Sequence, residues 1–155
     1  MEYIKLTWED IEQLVENVYK QLVEKKYFPN YIIALGRGGM IPARLIADKF
    51  SIKDVSMINV SLYKNAGIKN NTIKIENFNN IIEKKNILLI DDISDSGETI
   101  EKVIEYLKDK RANALKTATL LIRDNLIRIP SFVGKTIRKE WIIFPWEKEE
   151  FKDHK

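Results

Sequence analysis

Four aliphatic residues in a row, Ile87-Leu88-Leu89-Ile90, run directly into two acids, Asp91 and Asp92. An uninterrupted apolar run reads as a strand buried on both faces, as in parallel sheets. The acids then stand where that strand emerges at its carboxyl end, the edge at which open α/β sheets keep their ligands. Asp95-Ser96-Gly97 follows as a turn of small residues, and from Glu98 to Lys110 the apolar positions Ile100, Val103, Ile104 and Leu107 recur at helical spacing. Upstream, Thr7 and Asp10 form a capping-box signature before a stripe of Ile11, Leu14, Val15, Val18, Leu22 and Val23, which predicts a helix to about Lys26, ended by Pro29. Tyr31 to Leu35 is a further buried strand, and Met40-Ile41-Pro42 opens a helix carrying Leu45, Ile46 and Phe50. Asp54–Ser61 and Leu115–Ile122 read as strands, whereas Leu62–Asn71 dissolves into lysine, asparagine and glycine. Strands alternating with helices predict a twisted, mainly parallel sheet with helices on both faces.

Composition narrows this to one domain over residues 1–155, with 45% hydrophobic and 32% charged residues. The net charge of +3 is spread along the chain without a basic block, which argues against nucleic acid as partner and leaves anionic small molecules. With no cysteine there is neither a disulfide framework nor a thiolate metal site, so any metal must be held by oxygen. No signal-peptide core or membrane-length apolar run stands out, and the expectation is a soluble cytoplasmic protein. The single histidine, His154, lies in a charged tail as a solvated side chain, removing the commonest general base.

The candidate chemistry sits at two strand ends. A strand, a small-residue loop and a helix N-terminus form an anion cradle, because the loop and first-turn N–H groups have no intrahelical partners. Asp95 is the odd member, since a carboxylate repels the anion that such a loop attracts. Either positive groups offset it, or it has a task such as taking a proton beside the phosphate site. The plainer alternative is that Asp91 and Asp92 end a strand and Asp95 caps a helix. At the other strand end, Gly36-Arg37-Gly38-Gly39 brings backbone amides close to a ligand and adds a planar cation suited to phosphate oxygens; the same glycines also suit an ordinary tight turn.

Asp91 to Thr99 resembles the ribosyl-phosphate-binding motif of type I phosphoribosyltransferases: a hydrophobic strand, two acids, two variable residues, Asp, Ser or Thr, Gly, one variable residue and Thr. The likeness extends over most of the chain and is nearest to the 6-oxopurine (hypoxanthine, guanine, xanthine) enzymes of bacteria and archaea. It implies the type I phosphoribosyltransferase fold, with a small hood from the terminal segments and a flexible central hairpin at about 62–79. The implied reaction moves the ribose 5-phosphate group of phosphoribosyl pyrophosphate (PRPP) to a purine, releasing pyrophosphate and a nucleoside monophosphate. Asp95 would act as the base. Asp91 and Asp92 would hold the ribose hydroxyls or, directly or through water, Mg2+; Ser96, Gly97, Glu98 and Thr99 would cradle the 5′-phosphate. Arg37, Gly38 and Gly39 would hold pyrophosphate, completed by Pro42-Ala43, and the family's strained cis peptide would fall at Gly36-Arg37.

Trp141-Ile142-x-x-Pro145-Trp146 resembles the purine-binding segment of that subgroup, within a hood stretch at about 123–147. Trp141 would stack on the base and the Ile142 backbone would read its edge, although packing alone is a common use of tryptophan. Arg123 stands where the subgroup usually has a lysine on the purine O6, keeping cation and donor with a different geometry. The family tends to a Ser-Tyr pair near the lid, where this chain has Ser61-Leu62-Tyr63, and Lys64 and Lys69 are candidates for pyrophosphate contact, the alternative being ordinary solvated charges. A homodimer or higher homo-oligomer is the implied assembly. The competing readings are a PRPP- or nucleotide-sensing protein of the same fold without catalysis, and a transferase for another base.

Overall fold

The computed structural model describes residues 2–63, 72–126 and 128–152. In chain order the elements are β1 (Tyr3–Lys5), α1 (Trp8–Glu24), β2 (Tyr31–Leu35), α2 (Gly36–Phe50), β3 (Val55–Ile58), β4 (Val60–Tyr63), β5 (Thr72–Ile75), β6 (Asn86–Ser94), α3 (Glu98–Leu107), β7 (Ala114–Arg123), β8 (Phe132–Ile137) and β9 (Trp141–Ile143). Five strands form one sheet in the order β3-β2-β6-β7-β8, and every neighbouring pair in it is parallel. That is the mainly parallel, helix-flanked sheet expected of type I phosphoribosyltransferases.

Alternation along β6 divides the core. Leu88 and Ile90 face the side covered by α1 and α2, where they join Ile11, Val18, Ile32 and Ile46. Ile87 and Leu89 face the side covered by α3, with Ile33, Ile58, Phe78 and Val103. Both faces are dry, which is why the strand reads as continuous aliphatics instead of alternating ones.

Helix α1 starts as its sequence requires. Asp10 donates its N–H to Thr7 Oγ1 at 3.1 Å while Thr7 N–H donates to Asp10 Oδ2 at 2.8 Å. One turn before its end, Gln21 guards the open edge of β8: its Nε2 donates to the Val133 carbonyl at 2.7 Å and its Oε1 accepts the Val133 N–H at 3.1 Å. At Val133 the edge of β8 is thereby closed to pairing with a further strand.

Several expected boundaries shift. The strand expected over Asp54–Ser61 breaks at Asn59 into β3, which pairs with β2, and β4, which forms an antiparallel hairpin with β5. The hairpin expected at 62–79 is partly this element; residues 64–71, with Lys64 and Lys69, lie outside the described residues, as does His154. Strands β1 and β9 pair in parallel, Tyr3 opposite Trp141, so the two terminal segments meet at the carboxyl end of the sheet. Among the described residues no helix is long and apolar enough to cross a membrane.

Candidate active site

A cavity of about 390 Å³ opens at the carboxyl ends of β2 and β6. Its wall includes Arg37 and Gly38 from α2, Asp91 and Asp92 from β6, Asp95 and Thr99 from the loop and helix that follow, Arg123 from the end of β7, and Trp141 and Ile142 from β9. Residues scattered over 105 positions (142 − 37) are thus brought to one place.

The acidic pair lies near the carboxyl end of β6, as the pattern suggested, and the strand runs on to Ser94. Asp92 is on the α2 side, where its carboxylate packs against Gly38. A Cβ at position 38 would stand 2.6 Å from Asp92 Oδ2, and one at position 39 would stand 2.4 Å from the Ile90 carbonyl oxygen. Those contacts explain why α2 begins at Gly36, ahead of the Met40 start that helix propensity favours: only residues without side chains let the first turn lie this close to β6. The anion loop expected at Gly36–Gly39 is therefore the first turn of a helix. The strained cis bond expected at Gly36-Arg37 is absent, no cis peptide occurring among the described residues; Gly36 makes the strand-to-helix reversal with φ +58°. Gly39 is buried behind the wall, not in it.

Burial, reinforced by the charge of Asp92, pushes the Asp91 carboxyl well above the usual carboxylate range; burial raises Asp92 as well. Backbone donors oppose these shifts only in part: Asp91 Oδ1 accepts the Asp92 N–H at 2.9 Å, and Asp92 Oδ1 accepts the Ile93 N–H at 2.7 Å. A fourth carboxyl of the cavity wall, Glu147, is also raised, first by burial and then by Asp92. Sequence reasoning assigned Glu147 no role; it sits in an aperiodic tail, and only the folded chain shows it turned toward Asp92.

At the phosphate-type loop, α3 begins after Gly97, which takes φ +80° and supplies no side-chain cap. The helix start therefore keeps its donors for something else, apart from a 3.3 Å bond from the Glu98 N–H to Ser96 Oγ. Asp95 and Thr99 line the cavity, whereas Ser96, Gly97 and Glu98, between them in the chain, do not, and Gly97 lies against Arg128 and Leu126.

Arg123 is held from three sides. Its Nε donates to Asp95 Oδ1 at 2.8 Å, and its Nη1 donates to the carbonyls of Arg138 at 3.0 Å and Glu140 at 2.7 Å. A positive group therefore does stand against Asp95 in the cradle, and it is Arg123. Arg37, by contrast, is exposed, with Glu150 as its ion-pair partner at 3.8 Å. Trp141 is 43% exposed and meets Phe151 edge to face, leaving ring surface to the cavity. Trp146 is packed between Phe144, at 4.7 Å, and Trp8, at 5.9 Å, a structural use. In β9, Trp141 N–H donates to Glu2 and the Ile143 carbonyl accepts from Leu6. By the alternation of a parallel ladder, the Ile142 N–H and C=O point away from β1 and are open to a ligand.

A model of the phosphoribosyl transferase domain matches residues 6–149. The chain belongs to the phosphoribosyl transferase family. Among curated relatives, the xanthine-guanine phosphoribosyltransferase of Desulfotalea psychrophila is 31% identical over 144 residues, covering 93% of this chain and 86% of the relative. Among solved structures, the purine phosphoribosyltransferase of Pyrococcus horikoshii superposes with a TM-score of 0.81 at 29% identity, covering 94% of each chain. The xanthine-guanine-hypoxanthine phosphoribosyltransferase of Helicobacter pylori superposes with a TM-score of 0.85 at 25% identity, covering 97% of each. Phosphoribosyl transferase membership accounts for the pairing of a phosphate-type loop with a strand-end acid pair.

Proposed function

We propose that this chain transfers the 5-phosphoribosyl group of PRPP to a 6-oxopurine base, giving a nucleoside monophosphate and pyrophosphate, as a cytoplasmic enzyme of purine salvage. The observation that carries the reading is the convergence of three kinds of group on one cavity: the Asp95–Thr99 loop, the exposed cation Arg37, and the aromatic and open backbone of Trp141-Ile142 beside Arg123. The names of the relatives, which act on xanthine, guanine and hypoxanthine, point the same way.

In this reading the 5′-phosphate lies on the first-turn amides of α3 with the hydroxyls of Ser96 and Thr99. Arg37 and the first turn of α2 take the pyrophosphate, and Asp91 and Asp92 fix the ribose hydroxyls. The base stacks on Trp141, the Ile142 main chain reads its edge, and Arg123 donates to O6. N9 forms its bond to C1′ as the C1′–O bond to pyrophosphate breaks, the electron pair leaving with pyrophosphate; the N7 proton passes to Asp95. Proton transfer of this kind is worth roughly 10²- to 10⁴-fold.

Three carboxyls whose ionisation is resisted by burial make an environment that favours a cation. Among the described residues, however, no three acidic or histidine side chains converge closely enough to chelate a bare ion. The donor set therefore suits a hydrated Mg2+ shared with PRPP, held through water by Asp91 and Asp92, whose chemistry is to neutralise the leaving pyrophosphate. Assembly into a homodimer or larger homo-oligomer belongs to the same reading, supported by the edge strand β3, whose Val55 and Met57 are left exposed.

The test is a PRPP-dependent assay against hypoxanthine, guanine, xanthine and adenine, with Mg2+ and with chelator. Turnover of at least one 6-oxopurine, an inert adenine and loss of activity in chelator are expected. Adenine as the best substrate would refute the base assignment, and full activity in chelator would refute the metal.

A further inference from the structure

Arg123 is an unusual base-reading group because most of its donors are already spent. Of its five N–H groups, the one on Nε goes to Asp95 and the two on Nη1 go to the Arg138 and Glu140 carbonyls. Nη2 makes no hydrogen bond among the described residues, and both Arg123 and Asp95 line the cavity. The two partners differ in freedom. The Arg123 side chain is only 18% exposed and anchored by backbone, whereas the Asp95 side chain is 70% exposed, on a loop, with Arg123 as its one ion-pair partner among the described residues. The arginine is thus the fixed body and the aspartate the body that it fixes.

The anchor has its own support. Glu140 Oε2 accepts the Arg138 N–H at 2.8 Å, closing the turn between β8 and β9 so that the carbonyls of both residues face Arg123. A side chain at position 140, which does not touch Asp95, is thereby linked to it through Arg123.

We propose that Arg123 is a positioning residue for Asp95 as well as a base-reading cation, the turn closed by Glu140 holding the pair as one donor–acceptor unit for the O6 and N7–H edge of a 6-oxopurine. The inference rests on the reaction proposed above. Arg123 Nη2 supplies the donor for O6, and Asp95 Oδ2, which Arg123 leaves unengaged, supplies the acceptor for N7–H. These two base atoms are adjacent on one edge, so a rigid pair reads both at once and demands the N7–H tautomer. Adenine offers a donor where Nη2 also offers donors, and the unit mismatches it at its first position. Because Arg123 orients the proton acceptor, its loss should fall on turnover and not on base affinity alone.

The experiment is a double-mutant cycle on the full chain, with Asp95→Asn, Arg123→Met and their combination assayed with hypoxanthine and PRPP. Asp95→Asn should lower kcat by about 10²- to 10⁴-fold. Arg123→Met should lower kcat by at least about tenfold in the parent but by less than about threefold once Asp95 is Asn, since residues acting as a unit do not add. Losses that multiply independently would overturn the unit. The second arm tests Glu140: Glu140→Ala should lower kcat with the KM for PRPP unchanged, and Glu140→Gln, which keeps the acceptor for the Arg138 N–H, should restore it. Equal kcat in parent and Glu140→Ala would overturn the anchor. Should Arg123→Met fail to fold, the Glu140 pair decides the proposal by itself. A parent that turns over no 6-oxopurine would instead overturn the reaction.

Discussion

Adding one methyl group at position 38 or 39 separates the site from the scaffold. In Gly38→Ala the new Cβ would stand 2.6 Å from Asp92 Oδ2 and 2.7 Å from its Cγ, where ordinary contact begins at 3.4 Å. The carboxylate must move by about 0.8 Å (3.4 − 2.6) to restore contact. Its Oδ1 holds the Ile93 N–H at 2.7 Å, and the same displacement along that bond would stretch it to about 3.5 Å, the limit of a hydrogen bond. Straining a bond to a buried, 7% exposed carboxyl costs about 1–3 kcal/mol, or about 2–4 °C of Tm per kcal/mol for a chain of this size. In Gly39→Ala the Cβ meets the Ile90 carbonyl at 2.4 Å and the Ala34 backbone at 3.2 Å, and neither can swing aside. Overpacking of that kind costs about 1–3 kcal/mol or more. Thermal unfolding and steady-state kinetics should therefore diverge. Gly38→Ala should lose more PRPP turnover than its fall in Tm explains, because its clash is with Asp92 of the site, and Gly39→Ala, whose clash is with backbone alone, should lose mostly Tm. If Gly38→Ala keeps parental kinetics while its Tm falls as far as that of Gly39→Ala, Asp92 is not held by the helix start and the reasoning fails.

Arg37→Ala removes an exposed side chain with one long ion pair, so stability should change by less than about 0.5 kcal/mol while PRPP and pyrophosphate weaken roughly 10- to 150-fold and nucleoside monophosphate little; titration calorimetry with all three ligands checks this, and equal losses would remove Arg37 from the pyrophosphate site. Asp91→Asn keeps the Oδ1 acceptor for the Asp92 N–H and deletes a charge that burial opposes. A carboxyl whose folded-state pKa is raised contributes stability that is fully present below its unfolded-state pKa and is lost as pH rises through the folded-state value. Asp91→Asn should therefore have the higher Tm at pH 7 without ligand, with the gap narrowing near pH 4; calorimetry across that range with no gap at either end would contradict the burial argument.

The elements legible in the sequence are those whose signals are local. Tyr31–Leu35 is a strand with the very bounds its apolar run suggests, and α1 begins at the capping box of Thr7 and Asp10 because both groups lie within one turn. The acid pair and the Asp95–Thr99 loop were readable for the same reason. What escaped depends on distant partners. β1 and β9 are three residues each and exist because each completes the other, while β8 carries Gly134, Lys135 and Thr136 and earns its place from β7 and Gln21. Glycine propensity argues against a helix at Gly36, and close packing on Asp92 and Ile90 overrides it. The clamp on Arg123 is invisible for a further reason: two of its three acceptors are backbone carbonyls, which every residue possesses.

The parallel pairing of Tyr3–Lys5 with Trp141–Ile143 sets an order of events during synthesis. The proposed base-binding strand has a neighbour 138 residues earlier in the chain (141 − 3), so among the strand pairings of the described residues its register closes the longest loop, and it gains nothing until Trp141–Ile143 has been made. The β2-β6 pairing that frames the phosphate-type loop needs only the residues up to Ser94. The strand pair that leads into the phosphate-type loop can thus form before the base-binding strand is made, and loss of Tyr3–Lys5 would remove the frame that aims Trp141 and Ile142 without touching the β2-β6 pairing.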